Sequence, residues 1–376
     1  MNPTEPTLII FHGGLGCGPA ERMMATARTA AARTTALAAL EGGFDSVIIA
    51  TDSPCDFANL DARVRLDEDA IGGVFDFAAR LKDLIARYTL ERPAILGSGS
   101  LPLLGAGEFA TLAELLRAHT KIVITNNFFS SDLTAWTPGS AIEATTLFAR
   151  DNMLPRRLRD NAGLEVAGLP KTTATQFDMD TPVDLAILGL REGPRTELAG
   201  MSGAVHELSE RLRRVMPVLC DRQGHLVVAG RVGSTAWQYL ERETACRVRL
   251  YSEERSLATA PANYVPRSAL GFLLEAVGFE GFFARMAELG DALILDTRVL
   301  EAHAGVNPSR EDRFQSDLFH WEAIEHPWLR ALTRAASEAS KPVILGGHSL
   351  VSGGLMVLND AAWAENDLKV AQAHRG

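Results

Sequence analysis

Three carboxylates lie close together in residues 175–185, which read TQFDMDTPVDL. They are Asp178, Asp180 and Asp184. Carboxylate oxygens are the hard ligands that Mg²⁺ prefers, and an ion held by one or two of them keeps positions for substrate phosphates. Thr181 and Pro182 also form a helix start, with Thr181 as N-cap and Pro182 in the first turn. The segment therefore predicts a metal site. Alternatively, one of the three carboxylates caps the helix and binds no metal.

A glycine-rich loop follows the first apolar run of the chain. Residues 12–18 read HGGLGCG and come directly before an Ala-rich, helix-forming stretch. Backbone N–H groups at a helix start bind anions, and glycine lets a phosphate come close. Arg22 and Arg28 follow within one to two helical turns and add positive charge. The loop matches neither GxGxxG nor a Walker pattern, so no specific nucleotide-binding motif identifies it. It is either a phosphate site or a turn in which glycine permits tight packing.

Two loops in the second half of the chain also suit anions. Residues 229–235 read AGRVGST and residues 346–349 read GGHS, and each follows an apolar run. The candidate anion-binding residues there are Arg231, Ser234, His348 and Ser349. The pattern GxSxG of serine hydrolases is absent around Ser349. Residues 296–320 mix His and Asp without metal-ligand spacing, which favours structural or surface roles.

Apolar runs alternate with helical patterns along the chain, which indicates an α/β protein. The predicted strands cover residues 7–11, 45–51, 94–96, 121–125, 226–229, 247–251, 292–296 and 342–345. The predicted helices cover residues 20–40, 75–88, 112–118, 152–162 and 270–289. In doubly wound sheets, ligands bind beyond the carboxyl ends of the strands. We therefore expect the loops at 12–18, 51–54, 97–102 and 125–132 to converge on one cleft.

Length and composition indicate two globular domains. The chain has 376 residues, of which 47% are hydrophobic and 22% charged. The Gly- and Pro-bearing segment 190–200 places the predicted domains at 1–190 and 200–376. A net charge of −10 disfavours nucleic acid as a partner, and no apolar stretch is long enough to span a membrane. Four separated cysteines and an N-terminus unlike a signal peptide predict a cytoplasmic protein. A homo-oligomer is possible on the same sequence.

The acidic segment resembles that of a known enzyme family. DMDTPVDL at 178–185 is similar to the DIDTPEDL segment of the nucleotidyltransferases that include the molybdenum-cofactor guanylyltransferases and the phospholactate guanylyltransferases. GGLGCGPAERM at 13–23 resembles their opening glycine-rich loop, and residues 34–52 resemble their helix leading into a second strand. AILGSGSLPLL at 94–104 resembles their acidic GxDxPxL turn. The similarity spans about residues 7–190 in the family's order.

The resemblance implies a nucleotide-diphosphosugar-transferase-like fold followed by a second α/β domain. It implies transfer of a nucleoside monophosphate from an NTP to a small phosphorylated acceptor, with Mg²⁺ and release of pyrophosphate. The residues that it assigns to the NTP phosphates are Gly13, Gly14, Gly16 and Arg22. Four further residues are candidate nucleotide contacts from their positions in the sequence: Arg28, Ser98, Ser100 and Lys171. It assigns the metal to Asp180 and Asp178, and catalysis to Asp180 and Arg22.

Two positions depart from the family pattern. Ser100 stands where the family places a metal-binding Asp, and a hydroxyl supplies no charge. The family's lysine after the glycine loop is missing, since the first lysine is Lys82, and Arg28 or Arg33 stands nearest in its place. Residues 126–132, NNFFSSD, either supply the missing acid or form a turn bonded to its own side chains.

Three other functions remain open from the sequence. Asp178-Met-Asp180 is a D-x-D pattern, which is typical of transferases that bind nucleotide sugars through a metal. The loss of an acid at Ser100 also fits a protein that binds a ligand and regulates without catalysis. The third alternative places the chemistry in the second domain, around Arg231, Ser234, Asp296 and His348.

Overall fold

The computed structural model describes residues 2–69, 75–145, 151–191, 202–254 and 264–374. It divides into two compact units, of which the first comprises Met1–Leu15 and Ala25–Asp178 and the second comprises Gly16–Met24 and Met179–Gly376. This division differs from the predicted boundary at 190–200, because the loop before the first helix and the residues after Asp178 group with the second unit. Residues 192–200 of the predicted linker lie outside the described residues.

The first unit contains a seven-stranded mixed sheet in the order β3-β2-β1-β4-β6-β5-β7. Its strands are β1 (Pro6–His12), β2 (Ser46–Thr51), β3 (Val64–Glu68), β4 (Arg92–Gly97), β5 (Ile122–Thr125), β6 (Leu133–Thr137) and β7 (Glu165–Gly168). Neighbouring strands run parallel except that β6 is antiparallel to both β4 and β5. β1 and β2 are almost continuously apolar and buried, as expected of parallel strands covered on both faces.

Helices pack on both faces of this sheet. They are α1 (Pro19–Glu41), α2 (Phe77–Tyr88), α3 (Ala106–Ala118), α4 (Leu154–Ala162) and α5 (Thr173–Gln176). Leu8 and Ile10 point into one core, which includes Leu112 from α3. Ile9 points into the opposite core, which includes Leu81 from α2. This alternation along β1 follows the two-residue period of a strand.

The C-terminal cap of α2 provides a stability prediction. Thr89 is exposed and adopts the left-handed conformation, with φ 52 and ψ 43. This conformation costs a β-branched residue about 1–2 kcal/mol, a penalty that glycine escapes. We therefore expect Thr89→Gly to raise the free energy of unfolding by about 1 kcal/mol, measured by urea unfolding. Thr111→Gly, in the interior of α3, should instead lower it by about 0.3 kcal/mol, and equal effects of the two changes would contradict the prediction.

The second unit contains a four-stranded parallel sheet in the order β11-β10-β8-β9. Its strands are β8 (His225–Gly230), β9 (Arg247–Ser252), β10 (Ala292–Asp296) and β11 (Val343–Gly346). Its helices are α6 (Pro182–Gly189), α7 (His206–Cys220), α8 (Ser234–Glu243), α9 (Ala269–Leu289), α10 (Arg298–Ala304), α11 (Arg310–Asp317), α12 (Pro327–Ser337) and α13 (Leu355–Ala373). The chain leaves β8 for β9 on one side and later adds β10 on the other, which makes a topological switch point between β8 and β10.

The predicted α/β class is confirmed in both units, and each predicted strand and helix coincides with an observed one. The strands β3, β6 and β7 were not predicted. β3 and β7 are edge strands and carry polar or exposed residues, so they lack the apolar signal of buried strands. None of the described helices combines the length and the apolar character that crossing a membrane requires.

Candidate active site

The loop after β1 holds an oxyanion in this structure. The backbone N–H of Gly14 donates to both carboxylate oxygens of Asp52, at 3.1 and 3.2 Å. Asp52 follows β2, is exposed, and also accepts from the hydroxyl of Ser53 at 2.9 Å. A Cβ built on Gly13 would have no atom within 4 Å, so the space beside the loop is open. The glycine loop therefore binds an anion with its backbone, and that anion is a surface side chain.

His12, the last residue of β1, was missed by the sequence analysis. The residue is 3% exposed, and its Nδ1 has no hydrogen-bond partner among the described residues. Burial lowers the pKa of His12, and the positive charge of Arg28 lowers it further. The negative charges of Asp56 and Asp52 raise it but do not outweigh burial. Burial therefore favours the neutral imidazole, whose ring packs edge-on against Phe57. The signal in the sequence was a histidine between a buried strand and Gly13.

Asp178 stabilises the turn that follows β4. Its Oδ1 accepts the backbone N–H of Leu101 at 3.1 Å. Leu101 is fully buried and has a φ of 47, a left-handed conformation that is unfavourable for a leucine. The N–H of Ser100 donates to Gly97 at 2.9 Å within the same turn, next to the buried Ser98. The predicted metal ligand Asp178 thus has a structural contact in the turn that contains Ser100.

The segment after β5 is a turn bonded to its own side chains, as one of the two sequence interpretations proposed. Asn126 Oδ1 accepts the N–H groups of Asp132 and Leu133, at 3.0 and 3.2 Å. Its Nδ2 donates to Asp132 at 2.9 Å and to the carbonyl of Thr175 at 3.1 Å. Lys171 Nζ donates to the Asn126 carbonyl at 2.5 Å, and burial lowers the pKa of this lysine against the opposing charge of Asp132.

The start of α1 belongs to the second unit and already carries a carboxylate. Ala20 and Glu21 donate their backbone N–H groups to Glu311 of α11, at 3.1 and 3.0 Å. Gly18 donates its N–H to the side chain of Glu21 at 3.0 Å, and the guanidinium of Arg22 donates to the carbonyl of Cys17. The helix start that was predicted to hold NTP phosphates thus has an internal anion in this structure.

Asp184 is the helix cap among the three predicted acids. Its side chain is completely buried, and Oδ2 accepts the N–H groups of Asp180 and Thr181 at 3.0 and 2.9 Å. The hydroxyls of Thr181 and Ser349 donate to the same oxygen at 2.9 and 2.6 Å. Oδ1 has no hydrogen-bond partner among the described residues. Asp180, by contrast, is exposed at the start of this cap.

The burial of Asp184 predicts a dependence of stability on pH. Burial raises the pKa of Asp184 from 3.8 to about 7, helped by the charge of Asp180 and opposed by the hydrogen bond from Ser349. The folded state therefore binds this proton at a pH where the unfolded chain has lost it. The stabilising contribution is complete below the unfolded pKa of 3.8 and is lost as the pH rises through about 7.

We expect the unfolding midpoint in urea to fall between pH 5 and pH 8 more steeply for the native chain than for Asp184→Asn. Ser349→Ala removes a hydrogen bond that lowers the pKa of Asp184, so it should move the decline to higher pH. Parallel pH profiles for all three proteins would show that Asp184 does not titrate in this range.

The other predicted residues of the second unit lie at the carboxyl ends of its strands. Arg231 Nε and Nη2 donate to Asp296 at 2.6 and 3.0 Å, across the switch point between β8 and β10. Asp296 is fully buried, and a Cβ built on Gly230 would lie 2.3 Å from its Cβ. Ser234 is the exposed first residue of α8, and the His348 carbonyl accepts from the hydroxyl of Ser352 at 2.9 Å.

The predicted site residues are divided between the units. Those in the first unit are Gly13, Gly14, Arg28, Ser98, Ser100, Lys171 and Asp178. Those in the second unit are Gly16, Arg22, Asp180, Arg231, Ser234, His348 and Ser349. Within the described ranges, no three His, Cys, Asp or Glu side chains form a group that could bind a metal ion by themselves.

No protein family and no curated protein matches the sequence. Among solved structures, the chain is similar to a Desulfovibrio desulfuricans protein described as a nucleotide-diphospho-sugar transferase, with 15% identity, a TM-score of 0.40, and coverage of 53% of this chain and 95% of that one. It is similar to a cytidylyltransferase from Leptospira borgpetersenii, with 12% identity, a TM-score of 0.37, and coverage of 55% and 95%. A 4-diphosphocytidyl-2C-methyl-D-erythritol synthase from Anaerococcus prevotii shows 11% identity, a TM-score of 0.34, and coverage of 55% and 100%.

Proposed function

We propose that the chain is a nucleotidyltransferase that transfers a nucleoside monophosphate from an NTP to a small phosphorylated acceptor and releases pyrophosphate. The observation that carries this proposal is the anion-binding loop after β1, where Gly14 N–H holds a carboxylate beside open space at Gly13. A triphosphate oxygen accepts hydrogen bonds as an oxygen of that carboxylate does. The triphosphate as a whole carries more negative charge than the carboxylate. The resemblance of residues 7–190 to the guanylyltransferases supports the same assignment.

In this proposal, the backbone of the glycine loop positions the triphosphate. Gly13, Gly14 and Gly16 contribute N–H groups, and Arg22 and Arg28 contribute positive charge. Phosphoryl transfer requires positioning and charge neutralisation rather than a covalent nucleophile, so such a set of groups is sufficient in kind. Lys171 is a further proposed contact for the nucleotide phosphates.

Asp178 and Asp180 are the proposed magnesium ligands. Their carboxylates are the hard oxygen donors that Mg²⁺ takes, so the donor set fits in kind. No three acidic, histidine or cysteine side chains group together among the described residues, so such an ion would take its other ligands from water and the triphosphate. When bound, Mg²⁺ would neutralise the charge that develops on the phosphates.

A thermal-shift screen of the full chain tests the proposal first. The ligands are the four NTPs and several nucleotide sugars, each with and without Mg²⁺. A ligand at one hundred times its Kd raises the stability by about 2.7 kcal/mol, so a true site is visible. We expect a Mg²⁺-dependent shift with one NTP. A preference for nucleotide sugars would favour the sugar-transferase alternative, and no shift with any NTP would contradict the proposal.

A second candidate function is ligand binding with weakened or lost catalysis, and Ser100 is the observation that favours it. A hydroxyl occupies the place of the family's metal-binding acid. Under the first proposal, Ser100→Asp supplies the missing charge and should raise the rate of pyrophosphate release from Mg²⁺·NTP by about tenfold or more. Ser140→Asp, at an exposed serine outside every proposed site, is the control. Unchanged turnover of Ser100→Asp together with tight NTP binding would favour the binding protein.

A further inference from the structure

The carboxyl ends of β1 and β2 bring Gly14 and Asp52 together within the first unit. The two strands are parallel neighbours, and their register pairs His12 with Thr51, the last residue of each strand. Both chains leave the sheet at the same level, so Gly14 and Asp52 lie within hydrogen-bond distance of each other. The register of the two strands therefore fixes this contact.

The turn after β2 holds the carboxylate of Asp52 beside the glycine loop. Thr51 Oγ1 accepts the backbone N–H of Ser53 at 2.9 Å, and the hydroxyl of Ser53 donates to Asp52 Oδ1 at 2.9 Å. Thr51 is fully buried, so the turn is anchored in the core at the end of its strand. Asp52 is thus positioned by its own turn before any ligand binds.

The hydrogen bond from Gly14 to Asp52 is long, and both residues are accessible. The N–H of Gly14 is shared between the two carboxylate oxygens, at 3.1 and 3.2 Å. A strong hydrogen bond from nitrogen to a carboxylate is shorter, at about 2.7–2.9 Å. Gly13, Gly14 and Asp52 are all exposed. Another anion can therefore replace this carboxylate without opening the core.

Other charges act at the same strand end. The charged groups that act on the His12 imidazole are Asp56 and Asp52, which are negative, and Arg28, which is positive. Asp56 is exposed, and its carboxylate lies 3.9 Å from His12 Nε2. Both acids repel an arriving phosphate, but the carboxylate bonded to Gly14 is that of Asp52. Asp52 thus opposes a phosphate both by its charge and by occupying the donor.

We propose that Asp52 is an internal competitor of the triphosphate, which reaches Gly14 only by displacing this carboxylate. The inference rests on the proposed function and adds an autoinhibitory contact to it. In the empty loop, Asp52 accepts the Gly14 N–H in place of a phosphate oxygen. When a triphosphate binds, the side chain turns into solvent, to which it is already exposed. The native chain therefore binds triphosphates less tightly than the same loop without Asp52.

Calorimetric titration of the full chain without Mg²⁺ tests the proposal, with inorganic tripolyphosphate and the four NTPs as probes. Asp52→Ala releases the Gly14 N–H and removes a negative charge. We expect this variant to bind tripolyphosphate about tenfold more tightly than the native chain does. Asp52→Asn keeps the shape of the side chain and a neutral acceptor, so its affinity should lie between the two. Asp52→Asn decides the matter if Asp52→Ala does not fold.

Asp56→Ala is the matched control, because it removes a charge near the same strand end and leaves the bond between Gly14 and Asp52 in place. It should raise the affinity by about twofold or less, since an exposed charge that does not touch the ligand is screened. A gain in Asp56→Ala as large as that in Asp52→Ala would show that general repulsion, and not competition for Gly14, sets the affinity.

Tripolyphosphate carries no nucleoside, so its binding separates this inference from the proposed reaction. Tighter binding to Asp52→Ala than to Asp56→Ala supports the competitor, and a failure of the same proteins to turn over any NTP would then count against the proposed function alone. Equal affinities of the native chain and Asp52→Ala would overturn the competitor, while NTP turnover would leave the proposed function in place. Absence of tripolyphosphate binding to all of these proteins at millimolar concentration would also overturn the competitor.

Discussion

Asp180→Asn is expected to lower the rate of pyrophosphate release from Mg²⁺·NTP about 100- to 1000-fold, the usual effect of removing one electrostatic contact to a transition state. Asp180 is exposed, and the hydrogen bond that its residue makes to Asp184 comes from the backbone, so the substitution leaves the helix cap intact. The loss therefore reports on chemistry rather than on folding. The measurement is a coupled pyrophosphate assay at saturating NTP and acceptor.

Asp160→Asn is the matched control for this change. Asp160 is an exposed aspartate on α4 that pairs with Arg159, and it belongs to no proposed site. Its replacement should leave turnover within about twofold of the native chain, since exposed ion pairs contribute little. If Asp180→Asn turns over as fast as Asp160→Asn and binds Mg²⁺·NTP equally well, Asp180 is not a metal ligand and the proposed reaction loses its principal acid.

The largest expected effect on stability comes from Asp317→Asn. Asp317 is fully buried and accepts two hydrogen bonds from Arg298, at 3.0 and 2.9 Å. The substitution keeps the shape of the side chain but removes its charge, and an arginine cannot escape by losing its proton. Breaking one side of a buried pair costs about 3–5 kcal/mol, which we expect as a lower free energy of unfolding in urea.

An exposed pair of the same unit serves as the comparison. Arg285 and Glu288 on α9 lie at 2.6 Å with more than half of each side chain exposed. Glu288→Gln should change the free energy of unfolding by less than about 1 kcal/mol. The double variant Arg298→Met/Asp317→Leu should recover much of the stability lost in Asp317→Asn, because it removes both members of the pair, while Glu301 keeps its ion pair with Arg313. Similar losses in Asp317→Asn and Glu288→Gln would show that the buried pair has no special role.

The sheets could be predicted because burial on both faces leaves a direct mark on composition. β1 and β2 are apolar at almost every position, and the loops that follow them carry glycine or aspartate. Turn and capping residues predicted the glycine-rich turn after β1 and the N-cap at Thr181, and both are present. It failed at β3, where an edge position permits charged residues in a strand.

Contacts between distant residues are what the sequence could not provide. The partner of Asp184 is Ser349, 165 residues away, and nothing in either segment specifies the other. Asp178 carries the composition of a metal ligand, yet the turn at Leu101 uses its carboxylate as a hydrogen-bond acceptor. Composition indicates which chemistry a side chain can perform, and only the three-dimensional path of the chain determines which neighbour uses it.

The contact between Glu311 and the start of α1 has a consequence for protein synthesis. The two partners, Ala20 and Glu311, are 291 residues apart, and both belong to the second unit. At about 5–20 residues per second, a ribosome adds Glu311 roughly 15–60 s after Ala20. Through that interval, the first turn of α1 lacks its carboxylate. A truncated chain that ends near residue 195 lacks it permanently, so the two units cannot be separated by a single cut without exposing this helix end.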